Sequence, residues 1–249
     1  MGDRRKVSSI AALRDKRTLL LQAIVISHYR RLARKIASEF LLFGLDGVIS
    51  AINNLELELT NALIDSAGTT VDAIGNKQLD IIDARLRKQF TIDFANQLQF
   101  FIASRALRTS SLVSGTDRAQ AAAIISTGFA NGLTNREISK SLGLQFTSIA
   151  TAFRAERIAR TETSIAASEA QDRSAKESGV ELVKEWVAIN DDRTRANHLS
   201  SAVDGQIREV DGTFLVGFDT MKGPHDLSAS AGNIINCRCV LNYIPKSVL

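Results

Sequence analysis

The stretch ESGVELVKEWVAIN, residues 177–190, is where the writing of this chain changes. Upstream, from about residue 17 to 178, there is no proline and apolar residues recur three and four apart, the spacing of helices with one buried face. Gly179 stands at the end of that pattern, where a glycine closes a helix because it enters the left-handed region without a Cβ clash. Downstream, Val183, Glu185, Val187 and Ile189 alternate with Lys184, Trp186 and Ala188, which is strand spacing. Both prolines and the single tryptophan follow residue 180. The fold class implied is α+β: long helices in the first two-thirds, then a small C-terminal part with a hairpin and short antiparallel strands. We divide the chain into a basic arm, 1–16, a helical domain, 17–178, and a small α+β domain, 179–249.

Within the helical part, Ile24, Ser27/His28, Leu32, Ile36 and Phe40 define the face of a first helix, which Gly44 and Gly47 bend or break. Ser66 to Thr70 reads as a turn before a second stripe of Ile74, Leu79, Ile82, Leu86, Phe90, Phe94, Leu98 and Phe101. Ser110 to Thr116 reads as a polar loop, with Asp117 capping a third helix. Thr134 and Glu137 have capping-box spacing and open a short helix. Its surroundings resemble the start of a helix-turn-helix, but Phe146, Ile149, Ala150 and Phe153 form a stripe that needs burial rather than base-reading residues. A long helix follows from Thr147 to near Gly179. In the C-terminal part, Asp211-Gly212 sits between short alternating runs and signals a hairpin, and NIINCRCVLNYI, 233–244, is a third strand stopped by Pro245.

The 249 residues are 45% hydrophobic and 23% charged, too apolar and too weakly charged for disorder. Two cysteines in so long a chain argue against a disulfide scaffold. No apolar run of signal-peptide type opens the sequence, and TLLLQAIVIS, 18–27, is too short to span a bilayer, so no membrane partner is expected. Net charge is +4, with Arg4, Arg5, Lys6, Arg14, Lys16 and Arg17 concentrated at the start and Arg30, Arg31, Arg34 and Lys35 beyond. Such an arm suits nucleic acid or an acidic surface; a solvated, snorkelling end is the alternative.

Four of the five histidines and cysteines lie between 198 and 239: His198, His225, Cys237 and Cys239. Imidazole and thiolate are the ligands tetrahedral zinc prefers, and two of each complete a closed site. On a strand, residues two apart share a face, so both sulfurs reach one ion. The competing reading is a pair of buried thiols, since cysteine is among the most buried residue types. A disulfide two residues apart is geometrically poor, and a catalytic cysteine needs a base that only His198 offers. The run Asp191-Asp192-Arg193-Thr194-Arg195 before His198 reads either as a phosphodiester site, with histidine as base, or as a polar turn.

RIARTETSIAASEAQ, W-x5-DRTRANH-x5-DG, GPHD and INCRC, in this order, resemble the phage Mu F-like minor head proteins over roughly residues 120–245. The positions matching the recurrent motif are Arg160, Thr161, Glu162, Trp186, Asp192, Arg195, His198, Asp204, Gly205, Asn236, Cys237 and Cys239. The resemblance implies a virion protein present in few copies, acting in head morphogenesis, with the portal, the major capsid protein or scaffold, and packaged double-stranded DNA as partners. It places the chain in the capsid interior or at the portal vertex, after assembly in the host cytoplasm. A structural network around these positions, with or without Zn2+, is the role expected of them. The competing class is an enzyme, a nuclease or an ADP-ribosyltransferase-like domain using His198 and nearby arginines, the latter suggested by Arg160-Thr-Glu162.

Overall fold

A computed structural model describes residues 4–83, 94–151, 153–199 and 202–248; for 4–7, 149–151 and 248 it describes the backbone alone. The fold is α+β. Helix α1 (Arg4–Ile82) is followed by α2 (Phe94–Gln97), α3 (Gln99–Ala130), α4 (Asn135–Thr151) and α5 (Phe153–Glu177). Then come β1 (Leu182–Val187), a 3-10 turn (Ala196–His198), β2 (Ile207–Glu209), β3 (Phe214–Val216), β4 (Asp219–Met221), the short α6 (Ala231–Ile234) and β5 (Val240–Pro245).

The chain forms two compact units, each with its own core. One comprises 20–66 and 100–159, and among its described residues the only regular structure is helix. Helix α1 breaks there at Gly44, whose φ of 61° and ψ of −139° leave the helical region, a conformation glycine adopts without strain. Before the break Leu21, Val25, Tyr29, Leu32, Ile36 and Phe40 are buried, and after it Val48, Ile52, Leu55, Leu59 and Leu63. Of the expected face His28, Leu32, Ile36 and Phe40 are buried, whereas Ile24 is 38% exposed and Val25 beside it is buried instead. Ile138, Leu142 and Phe146 of α4 and Ala155 and Ala159 of α5 complete this core. The Thr134–Glu137 capping box forms, with Thr134 N–H donating to Glu137 Oε2 at 2.8 Å and Glu137 N–H to Thr134 Oγ1 at 3.3 Å. Of the stripe expected to need burial, Phe146 is fully buried but Phe153 is 84% exposed.

Two expected breaks are helix instead. Residues 66–70 continue α1, with Thr70 fully buried. Residues 110–116 lie inside α3, where Ser110 Oγ donates back to Leu107 O and accepts from Thr60 Oγ1 at 2.7 Å. Serine and threonine thus satisfy themselves within the helix rather than ending it. Asp117 is no cap: it is buried mid-helix with Arg154 Nη1 at 2.8 Å. The residues between, Leu86 and Phe90 of the second stripe, lie outside the described part. The helix expected from Thr147 is two elements, α4 and α5, on either side of residue 152.

The other unit comprises 1–19, 67–99 and 160–249. Its three-stranded antiparallel sheet has the order β2-β1-β5, with Val183 opposite Glu209 and Ile244, and Trp186 opposite Leu241. A central strand is covered on both faces, so β1 is buried at five consecutive residues and not only on alternate ones. Asp211-Gly212 does turn the chain, with Gly212 N–H bonded to Glu209 O at 2.9 Å. It joins two different sheets, however; the tight hairpin is β3–β4, closed by Gly217 and Phe218. Residues 233–239 are a helical turn and loop, and the third strand begins only at Val240. Helix α1 starts in this unit at Arg4, and the two units alternate along the chain. By length and composition α1 contains a window able to cross a membrane, with mean hydropathy 1.4.

Candidate functional site

Residues 235–239 sit between α6 and β5, and contacts with five side chains fix their path. Asn236 takes φ of 60°, a left-handed value asparagine tolerates. Its N–H donates to Thr161 Oγ1 at 3.0 Å, and its Oδ1 accepts from Arg160 Nη1 at 2.6 Å. Arg195 donates to Ile235 O. Arg238 turns outward to a two-pronged pair with Asp191, Nη1 to Oδ2 at 2.6 Å and Nη2 to Oδ1. That bond holds Asp191 well below the usual carboxylate range and Arg238 above its own. From the N-terminal helix, Arg14 donates to the carbonyls of Arg238 at 2.8 Å and Cys239 at 3.4 Å.

This path turns both sulfurs inward. Cys237 and Cys239 are free, buried thiols, with Sγ atoms 3.6 Å and 3.4 Å from His198 Nδ1. The three ligand atoms lie within 4.8 Å of one another. The ring of His198 is oriented from behind. Asn233 Nδ2 donates to Val216 O at 3.0 Å and to Asp219 Oδ2 at 2.8 Å, which assigns its amide, so Oδ1 faces His198 Nε2 at 3.2 Å. An amide oxygen only accepts, so Nε2 carries the hydrogen and Nδ1 presents its lone pair to the sulfurs. Trp186 packs edge-on against His198 at 5.6 Å. Cys237 is the thiol that ionises first, because Cys239 donates to it and this outweighs the cost of burial. Donating to Cys237, together with burial, pushes Cys239 up. The cluster has the donors, the tautomer and the outer hydrogen bonds of a metal site.

His225, the fourth residue of the expected set, is not part of this group. It is buried on φ of 67°, where Nε2 donates to Cys237 O at 3.1 Å and Nδ1 accepts from Ser168 Oγ at 3.1 Å. Of the other expected positions, Asp204 Oδ1 accepts from Ala188 N–H at 2.8 Å and Oδ2 from Asn190 at 2.8 Å. Gly205, at φ of 82°, donates to Trp186 O. Asp192 is exposed and Glu162 half-buried. Arg14 leaves the basic set, being 1% exposed. Lys16 is exposed and Arg17 half-buried; the side chains of Arg4, Arg5 and Lys6 lie outside the described part. Asn233, Asp219 and Ser168 were not foreseen, since single asparagine, aspartate and serine residues on separate elements leave no spacing signal.

A small α+β module closed by helices and organised on a buried His-Cys-Cys cluster is the class these features define. The family described as Phage Mu protein F like protein matches residues 119–242, and through this segment the chain belongs to the phage Mu F-like head morphogenesis proteins. Membership places it with components of the virion. The chain is also 33% identical over 118 residues to the NAD(+)--arginine ADP-ribosyltransferase EFV of Enterococcus faecalis (strain ATCC 700802 / V583). That match covers 46% of this chain and 23% of the relative, so the chain spans less than a quarter of that protein's length. No solved structure matches.

Proposed function

We propose that the protein is a minor head component that docks at the portal and lies beside packaged DNA, with a C-terminal module built for rigidity. The observation that supports this is where the motif side chains go. Arg160 and Thr161 hold Asn236, Arg195 holds Ile235, and Asp204 holds Ala188 and Asn190. Groups engaged in fixing the backbone of their own loop serve a scaffold better than a reaction. Zinc bound by His198, Cys237 and Cys239 belongs to this reading: it staples α6 and the start of β5 to the turn carrying His198, a use small modules make of metals. The exposed Arg30, Arg31, Arg34 and Lys35 supply the charge that faces DNA.

An enzymatic reading finds less support. The cleft beside the cluster is lined by arginines and by no carboxylate among the described residues, so a hydrolase there lacks a general base beyond His198. The relative's transferase name leaves that reading testable. The test is assembly: the portal is co-expressed with the full chain and with Arg160→Ala or Asn236→Ala variants, and co-purification and head formation are scored. Binding of the wild type, with loss in the variants, is the expected result. A wild type that neither binds portal nor changes head yield, yet transfers ADP-ribose from NAD, rejects it.

A further inference from the structure

We infer that the zinc site is a three-residue site whose fourth position opens to a cleft and accepts a small oxyanion of the phosphate class; this rests on the zinc reading above. Three protein ligands leave a tetrahedral ion one position short, the arrangement of sites that take an outside ligand. The obvious fourth residue is otherwise engaged, since His225 donates through Nε2 to Cys237 O and accepts at Nδ1 from Ser168. The nearby carbonyls are also taken, Cys237 O by His225 and those of Arg238 and Cys239 by Arg14.

The three ligands are among the residues that line a cleft, and Arg193, Arg195 and Arg238 line it with them. Its charge is one-sided. Asp191 pairs with Arg238 and lies 3.7 Å from Arg193, so one carboxylate serves two guanidiniums. Arg195 is bonded to the neutral carbonyl of Ile235. A zinc ion with two thiolates is neutral, so the mouth keeps the arginine charge. Guanidinium forks match the oxygens of phosphate or carboxylate.

Cobalt substituted for zinc in the full chain reports its own coordination through its visible absorption. Titration with inorganic phosphate is expected to shift that spectrum saturably, and Arg193→Ala, an exposed change, to weaken the apparent affinity about tenfold. A parallel titration with a short DNA duplex distinguishes the source: a shift with phosphate alone assigns a free anion, and a shift with the duplex as well assigns a backbone phosphate. Bound cobalt whose spectrum ignores both titrants describes a closed site and overturns the inference while sparing zinc. A chain that binds no cobalt removes the zinc reading and this inference together.

Discussion

Arg14 donates to the backbone carbonyl of Arg238 across 224 residues of sequence, at 2.8 Å. A basic residue of the N-terminal helix is thereby part of the loop that aims the cysteines. Its Nε and Nη2 also bond Asp15 Oδ1, which balances a charge that burial would otherwise penalise. Arg14→Met removes a charged donor from two carbonyls, and a loss of about 2–4 kcal/mol in urea unfolding is expected. Arg17→Met, on the same helix and half-buried, should cost under about 1 kcal/mol. Equal losses in the two variants would refute a role specific to Arg14.

The helical unit buries two groups that titrate against each other. Burial, with Arg31 and Arg154 near by, lowers His28 from 6.5 to about 4, and burial raises Asp117 from 3.8 to about 6 despite Arg154 beside it. For His28 the unfolded chain takes a proton that the fold refuses, so its stabilising contribution is present above 6.5 and is lost as pH falls toward 4. For Asp117 the fold keeps a proton that the unfolded chain releases, so its contribution is present below 3.8 and is lost as pH rises through 6. Between pH 4 and 6 the two slopes oppose, each on the order of 2–3 kcal/mol in total. Relative to wild type, His28→Gln should therefore lose stability with rising pH across this window, and Asp117→Asn should gain it. Chemical denaturation at several pH values measures both; parallel curves for all three proteins would contradict the assignment.

Asn236 tests how the family motif works. Its left-handed backbone favours asparagine or glycine, and its side chain receives Arg160. Asn236→Ala loses both advantages and Asn236→Gly only the second, so alanine should be the more destabilising by about 1 kcal/mol. Thr161→Val removes the acceptor of the Asn236 N–H and should cost about 1–2 kcal/mol in thermal or urea unfolding. Tolerance of all three substitutions would mean that the loop is held by other contacts.

The α+β division was legible in residues 177–190 because a left-handed glycine followed by alternation is local chemistry. The capping box at Thr134 was legible for the same reason. The serine-rich run at 110–116 was misleading, because a hydroxyl can bond its own helix, and only the facing Thr60 shows that it does. Cys237 and Cys239 were grouped with His198 on the expectation of a strand; a loop converges them instead, with Arg14 and Thr161 fixing its course. No periodicity could announce that His225 is claimed by Ser168, or that a basic residue at 14 is buried. Contacts made by single residues over such separations depend on the finished fold.

The same burial sharpens the expectation for DNA. Arg30, Arg34 and Lys35 project from α1 into solvent, whereas Arg14 is engaged with carbonyls. If the three exposed cations each neutralise one phosphate, replacing them together by glutamine should reduce the slope of log affinity against log salt by roughly 0.9 for each phosphate left without its cation, close to three in total. Arg31 is a weaker contributor because Glu58 lies 3.1 Å from it. Arg14→Met should leave the slope unchanged at temperatures where the variant remains folded. Fluorescence anisotropy of a labelled duplex over a range of salt concentrations measures these slopes. An unaltered slope in the triple variant would remove this face from the DNA interface, whatever the affinity of the wild type.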